Sequence, residues 1–452
     1  MRKGNRKLML FAIAILFSTK HTAAQTQAQP TTHQLSLQQA VDYGMKNALQ
    51  VKNSLLDIAI QQQSNRDITS AALPQITSTT GLTDYLDIPT TLIPGEVTGQ
   101  PVGTFIPVKF GTKYTANTGV TLNQLLFDGQ VFVALQARNT SIDYVTKASE
   151  LTKESIKENI YKVYYQLVLS KTQIELLDAN INRLQKLSHD TKVMYDNGFV
   201  EKIDVDKLDV QLTNLQTEKE KVINSIKNGY NGLKVLIGMP VQDSLVLTES
   251  LDENSIKEGA LENAEYKYTD RKDYQLLGFA NKLNEYNIKR YQLSQLPTLS
   301  FTASYSKQAQ RNEFNFFKKG GDWFTASYIG FNLSIPIFKG FSTKAKIAKA
   351  KLELQQLKNT MGNLQIKIDS DVEAAKNNFA NAVNTMGYQK KNMQLAETVY
   401  NQSKKKYEIG TGSATEINAS QTDLKTAQTN YINALYDAAI AKTDLLKATG
   451  KL

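Results

Sequence analysis

The sequence predicts an elongated α+β protein made of two copies of one long unit. Residues 195–205, which begin Tyr-Asp-Asn-Gly, correspond to residues 407–417, which begin Tyr-Glu-Ile-Gly, about 212 residues later. Segments 122–129 and 333–340 match in the same way, and both end in Phe-x-Gly. A duplication of this length defines a fold. Each unit is predicted to run helix, strand, strand, long helix, glycine turn and returning helix.

This duplication divides the chain into four predicted parts. Residues 1–24 have a basic start and an apolar run of about ten residues before Thr-Ala-Ala, which predicts a secretory signal peptide. Residues 25–238 form the first repeat, 239–261 an equatorial segment between the repeats, and 262–452 the second repeat. Removal of the signal peptide leaves 48 basic and 43 acidic residues, a net charge of about +5. This small excess does not indicate a nucleic-acid partner.

Long helices are predicted between the turn residues of each repeat. About 65 residues without proline precede each glycine turn, and at 1.5 Å per residue such a helix is about 100 Å long. The returning helices are shorter, so we expect opening helices at about 36–70 and 262–295 to stack end to end on them. Heptad spacing along the second returning helix, as in Ile417, Leu424 and Ala438, predicts coiled-coil packing.

Four segments alternate apolar and polar residues with a period of two, as strands do. They lie at about 75–86, 114–126, 299–305 and 329–337, and a proline- and glycine-rich loop at 87–111 follows the first. A soluble β-sandwich would show the same alternation, but no second sheet is evident to cover these strands. Because barrels made by one chain begin at about eight strands, we expect several chains to contribute to one membrane barrel. The loop is then extracellular.

Together these features resemble the TolC-like outer membrane efflux family over essentially the whole mature chain. The most specific feature is the duplicated Gly-x5-acid pattern that opens each returning helix and ends at Asp204 and Glu416. The resemblance implies an α+β membrane protein. In it a homotrimer forms a twelve-stranded outer membrane β-barrel from four strands per chain, and long coiled-coil helices form a periplasmic α-helical tunnel. It also implies a passive exit duct for drugs, toxic solutes or secreted proteins. The implied partners are a periplasmic adaptor (membrane fusion) protein, an inner-membrane transporter and outer membrane lipid.

The resemblance also implies roles at the periplasmic end. Asp204 and Tyr407 occupy positions where relatives have a hydrogen-bonded pair that helps to hold the closed state, and Glu416 stands where an acidic ring lines the constriction. A packing role for Tyr407 and a solvated acid in the first helical turn for Glu416 are the alternatives. Two family features are absent, because Gly412 replaces an arginine of some relatives and Ala419 replaces a second acidic ring.

The two glycine turns are implied to dock the adaptor. Their residues are Asn197, Gly198, Phe199 and Val200 in the first turn and Ile409, Gly410, Thr411 and Gly412 in the second. No cofactor or metal is predicted, since the chain has no cysteine and its three histidines lack ligand spacing. No nucleophile elbow or phosphate loop occurs, so we do not expect an enzyme. An adhesive or structural surface protein with a coiled-coil stalk is the main alternative, and a stand-alone porin is another.

Overall fold

The computed structural model describes residues 31–258, 265–318 and 320–452. The predicted signal peptide, residues 1–24, lies outside the described residues, and so does the end of the predicted inter-repeat segment. Within the described ranges, no helix combines the length and the apolar character that crossing a membrane requires.

The two repeats have matching elements. The first contains β1 (Thr32–Leu35), α1 (Leu37–Asn47), α2 (Leu49–Ser70), β2 (Gln75–Asp84), β3 (Thr90–Pro94), β4 (Phe105–Lys109), β5 (Tyr114–Phe127), α3 (Gly129–Asp196) and α4 (Lys202–Ile237). Between the repeats lie β6 (Ser244–Leu247) and α5 (Glu253–Lys257). The second contains α6 (Lys272–Leu293), β7 (Thr298–Arg311), β8 (Phe324–Ser334), α7 (Ser342–Glu408) and α8 (Ala414–Ala448). The long helices have 68 and 67 residues and the returning helices 36 and 35, which confirms the predicted helix lengths.

The opening helices are shorter than the sequence predicted. A single helix at about 36–70 was expected, but Ala48 has extended backbone angles, φ −56° and ψ 129°, which separate α1 from α2. The second repeat has the same feature. Arg271, with φ −75° and ψ 127°, lies directly before α6, which therefore begins at Lys272. The helix is interrupted at equivalent positions in the two repeats, because the end of a returning helix packs against the backbone at each position.

Each returning helix ends against the segment that leads into an opening helix. Gly238 follows α4 with a φ of 74°, and a Cβ atom there would lie 2.3 Å from the backbone oxygen of Asn47. Gly450 follows α8 with a φ of 73°, and a Cβ atom there would lie 2.8 Å from the backbone carbon of Asp270. Only glycine tolerates both the left-handed backbone and the close approach. These two joints confirm the predicted end-to-end stacking.

The four long strands form one antiparallel sheet in the order β2, β5, β7, β8. Residues paired directly across the strands share a face. One face is largely apolar and includes Ile76, Leu82, Val120, Leu122, Phe301, Ala303, Tyr305, Ile329, Phe331 and Leu333. The opposite face consists mainly of Thr, Ser, Asn, Gln and Gly side chains. The predicted alternation is therefore confirmed, and in a single chain the apolar face is exposed, with Phe331 71% accessible.

Several strand limits differ from the prediction. A bulge between Leu125 and Phe127 interrupts the alternation at Leu126. β7 continues to Arg311, whereas the predicted segment ended at residue 305, and β8 ends at Ser334, before the end of the predicted 329–337 segment. The loop predicted at 87–111 contains the additional hairpin β3–β4, which sequence analysis did not predict.

The helices pack as predicted from the heptads. Ile417, Leu424, Ala438 and Leu445 of α8 are all buried. They contribute to two apolar clusters, one at each end of the helix, formed with side chains of α3 and α7. A third cluster joins α1, α2, α3 and α4, and the parallel pair β1–β6 lies beside it.

Candidate functional site

The candidate site lies at the end of the molecule far from the sheet, where each long helix turns into its returning helix. Both turns have the same hydrogen bonds. In the first, the amides of Gly198 and Phe199 donate to the carbonyls of Tyr195 and Met194, each at 2.9 Å. In the second, the amides of Gly410 and Thr411 donate to the carbonyls of Tyr407 and Lys406, at 3.0 and 2.9 Å. This is the Schellman arrangement, which needs a left-handed residue, and the glycine φ angles are 81° and 75°.

Each turn presents one large apolar side chain to solvent. Phe199 is 77% exposed and follows its glycine, whereas Ile409 is 74% exposed and precedes its glycine. The remaining turn side chains are polar or partly covered. Asn197 donates to the carbonyl of Val193 at 2.7 Å, and Thr411 donates to the carbonyl of Lys406 at 3.3 Å. Two exposed apolar tips on rigid turns are suited to contact with another protein.

The second turn has no room for a side chain at Gly412. A Cβ atom there would lie 2.9 Å from both the Cβ of Lys406 and the backbone nitrogen of Tyr407. The amide of Gly412 also donates to the Lys406 carbonyl at 3.0 Å. An arginine at this position, as in some relatives, would require the turn to shift. In its present conformation, this turn therefore accommodates only glycine at position 412.

Tyr407 lies inside the helix bundle. Its side chain is in an apolar cluster with Leu187, Leu208 and Ile417, and the residue is only 5% exposed. Its hydroxyl lies 3.0 Å from the hydroxyl of Thr191, which is completely buried on α3. Tyr195, its counterpart in the first repeat, is 41% exposed, so the duplication has produced two different environments.

Asp204 does not bond to Tyr407 within the described part of one chain. The Asp204 carboxylate lies 3.9 Å from the ammonium group of Lys207, and the Asp204 backbone amide donates to the Glu201 carbonyl at 3.1 Å. The pairing implied by the resemblance is therefore absent from this conformation, because the Tyr407 hydroxyl is turned toward Thr191 on α3. In this structure, the hydrogen-bond partner of the Tyr407 hydroxyl is the Thr191 hydroxyl.

Glu416 lies in the first turn of α8. Ser413 caps this helix, and its hydroxyl accepts from the backbone amide of Glu416 at 3.1 Å. The Glu416 carboxylate accepts from Lys406 at 3.3 Å across the turn, and both side chains are about half exposed. Such an exposed ion pair is worth about 0–1 kcal/mol. The solvated carboxylate of Glu416 interacts favourably with the dipole of α8, because it lies at the N-terminus of that helix. The neighbouring Lys406 partly neutralises the negative charge of Glu416.

A buried polar seam between α3 and α8 was missed by sequence reasoning. Asn180 of α3 donates to the Gln428 side chain at 2.7 Å and accepts from Gln421 at 3.2 Å. All three residues are at most 5% exposed. The sequence did contain a signal for it. Gln421 and Gln428 are seven residues apart, which is the heptad spacing, and they flank the apolar heptad position at Leu424. This seam joins the α3/α4 pair to the α7/α8 pair.

Near the joint between α8 and α6, α3 has two glutamates whose pKa values are shifted in opposite directions. Burial alone would raise the pKa of Glu158, but Lys162 and Lys447, each 2.6 Å away, hold it below its usual range. Burial raises the pKa of Glu154, which the attraction of Arg271 only partly offsets. The pair with Lys447 connects α3 to the end of α8. Among the described residues, no set of three His, Asp or Glu side chains has the geometry for a metal ion.

Comparisons with known proteins agree with this architecture. A family model described as "Outer membrane efflux protein" matches residues 280–451. The chain is 22% identical to the outer membrane efflux protein BepC of Brucella suis biovar 1 (strain 1330), over 98% of this chain and 90% of BepC.

Solved structures share the fold. The outer membrane protein VceC of Vibrio cholerae superposes with a TM-score of 0.70 at 14% identity, covering 92% of this chain and 96% of VceC. The CmeC outer membrane channel of Campylobacter jejuni gives 0.70 at 16% identity, covering 92% and 85% of the two chains. Most of the second repeat thus matches the outer membrane efflux protein family, and the chain shares the fold of these outer membrane proteins along nearly its whole length.

Proposed function

We propose that three copies of this chain form a channel-tunnel that serves as the passive outer membrane exit of a tripartite export system. The observation that carries this proposal is a four-stranded sheet with one apolar and one polar face, joined at one end to helical rods. Such a sheet suits lipid on one side and a water-filled lumen on the other. Long helices with polar outer faces suit a tunnel through the periplasm. A protein of this kind transports solutes and catalyses no reaction.

The unpaired sheet edges support the trimer. β2 and β8 each have one edge without a strand partner among the described residues, and an exposed edge readily pairs with another chain. β2 and β8 run in opposite directions, so β8 of one copy can pair antiparallel with β2 of the next. Three copies give twelve strands. Four strands are too few to close a barrel, whereas twelve fall within the known range.

The glycine turns support docking of a periplasmic adaptor. Phe199 and Ile409 are the exposed apolar tips that such a partner would cover, and Gly198 and Gly410 hold them on rigid turns. Tyr407, Asp204 and Glu416 lie directly above these turns, so contact at the tips can influence the end of the tunnel. Within this proposal, Tyr407 with Thr191 holds the closed state, and Glu416 contributes an acidic ring to the constriction.

Engineered disulfides between sheet edges test this assembly, and the absence of native cysteine makes the readout unambiguous. Thr79→Cys on β2 is combined in turn with Ala326→Cys, Tyr328→Cys or Gly330→Cys on β8, which all lie on the polar face. One register should give a covalent species that stops at three chains, because a closed ring has no free edge.

The matched control is Thr80→Cys with the same partners, since its side chain lies on the opposite face. It should give little cross-linking. A ladder that continues past three chains would show an open assembly, as expected for a stalk, and would refute the closed barrel. Cross-linked dimers without trimers in membrane-inserted protein would refute it as well.

A further inference from the structure

The loop between β7 and β8 folds back onto the apolar face of the sheet. Phe316 is 8% exposed and packs against Ala116 and Ala309, which pair with each other on that face. Arg311 stacks over the Phe316 ring at 5.1 Å and donates from Nη1 to the Asn315 side chain at 2.8 Å. This end of the sheet is opposite to the helices, so in the proposed channel it is the outer end.

The folded loop forms a ledge of aromatic rings. Phe314 lies 5.8 Å from both Tyr114 and Phe316, and Trp323 lies 6.3 Å from Phe316. The ledge is only partly covered, since Phe314 is 53% exposed. Aromatic rings with apolar bodies and wet edges are typical of the boundary between hydrocarbon and headgroups. The ledge therefore marks the outer boundary of the apolar face.

Among the paired residues of the four strands, the apolar face has one lysine, Lys307, just below this ledge. Along β7, Tyr305, Lys307 and Ala309 are successive residues on that face, about 7 Å apart. Lys307 is exposed, and its paired neighbours on β5 and β8 are Thr118 and Thr325. Within the described residues it forms no ion pair. A lysine facing lipid without a counter-charge, between two hydroxyl groups, needs an anionic partner.

We propose that Lys307, Thr118, Thr325 and the aromatic ledge form a binding site for the phosphate of an anionic lipid in the outer leaflet. The lysine stem reaches up to the headgroup level, and the acyl chains lie on Tyr305 and Ile329. The inference rests on the proposed function, because it requires the apolar face to meet lipid. It adds a specific lipid contact to that face.

The only tryptophan of the chain, Trp323, reports directly on this site. The full chain is reconstituted in phosphatidylcholine vesicles with a fraction of either phosphatidylglycerol or phosphatidylcholine brominated near the ester end of its acyl chains. Bromine quenches tryptophan at contact. Since one lysine near a membrane surface favours an anionic lipid about fivefold, the anionic quencher should be enriched about fivefold over the neutral one.

Lys307→Gln should remove this preference while leaving quenching by the neutral lipid unchanged. Lys109→Gln, on the extracellular hairpin, changes charge equally and should retain it. Added inorganic phosphate should not compete, because the site is proposed to bind a lipid and not the free ion. Equal quenching by both lipids in the unmodified chain, or competition by inorganic phosphate, would overturn the lipid site. Quenching by neither lipid would instead show that the face is not in the membrane, which would contradict the proposed function.

Discussion

Gly450→Ala and Gly238→Ala are each expected to destabilise the folded chain by about 2–4 kcal/mol. Both glycines have left-handed backbone angles, where a Cβ atom costs about 1–2 kcal/mol. The new methyl group would also lie 2.8 Å from the backbone of Asp270 or 2.3 Å from that of Asn47, and backbone atoms cannot move aside cheaply. The opening and returning helices would then separate at the joint.

Loss of helical circular dichroism on heating measures this effect, with both variants melting well below the unmodified protein. The matched controls are Gly232→Ala and Gly387→Ala, which lie inside α4 and α7 with open space around the new methyl group. Because alanine favours a helix over glycine by about 1 kcal/mol, the controls should melt at the same temperature or higher. If Gly450→Ala melts with the controls, the joint does not hold the rod together.

In the proposed channel, Tyr407→Phe is expected to shift the periplasmic end toward its open state by a large factor. The substitution removes the hydroxyl contact with Thr191 but keeps the buried ring. A buried hydrogen bond contributes about 0.5–1.5 kcal/mol. In the proposed trimer this bond occurs once in each chain, within the chain. If opening breaks all three, they contribute about 3 kcal/mol to the closed state, which is on the order of a hundredfold in the ratio of closed to open channels.

Single-channel recording measures this shift as higher open probability or conductance. Tyr195→Phe is the control, since its exposed ring occupies the equivalent place in the first repeat and should change nothing. Thr191→Val should reproduce the effect of Tyr407→Phe. Addition of Asp204→Ala to Tyr407→Phe tests the role that the family resemblance implies, and it should increase opening further. Unchanged gating in a properly assembled Tyr407→Phe trimer would show that the hydrogen bond between Tyr407 and Thr191 does not hold the closed state.

The duplication made most of the architecture predictable. Equivalent glycines, prolines and alternating segments defined the order of elements and the lengths of the long helices, because these depend on local signals. The breaks at Ala48 and Arg271 were not predictable in this way. Nothing in the local sequence ends a helix there, and the reason is the distant helix end that meets the chain at each place.

The site was only partly predictable for the same reason. The backbone of both turns followed from their glycines, but the different burial of Tyr195 and Tyr407 arises from packing between helices that are far apart in sequence. The bond between Tyr407 and Thr191 spans 216 positions, and no local pattern indicates it. The hairpin β3–β4 was missed because its proline and glycine content favoured an irregular loop.

Single-channel conductance of the purified mature protein in a planar bilayer, with and without Glu416→Gln, shows whether the assembled chains form a channel. A trimeric channel with an acidic ring should give discrete, cation-preferring steps that lose their preference in Glu416→Gln. Lys406→Gln should strengthen the preference, because it removes the cation beside Glu416. No conductance steps from a confirmed membrane-inserted trimer, in the unmodified protein and in Tyr407→Phe alike, would contradict the account.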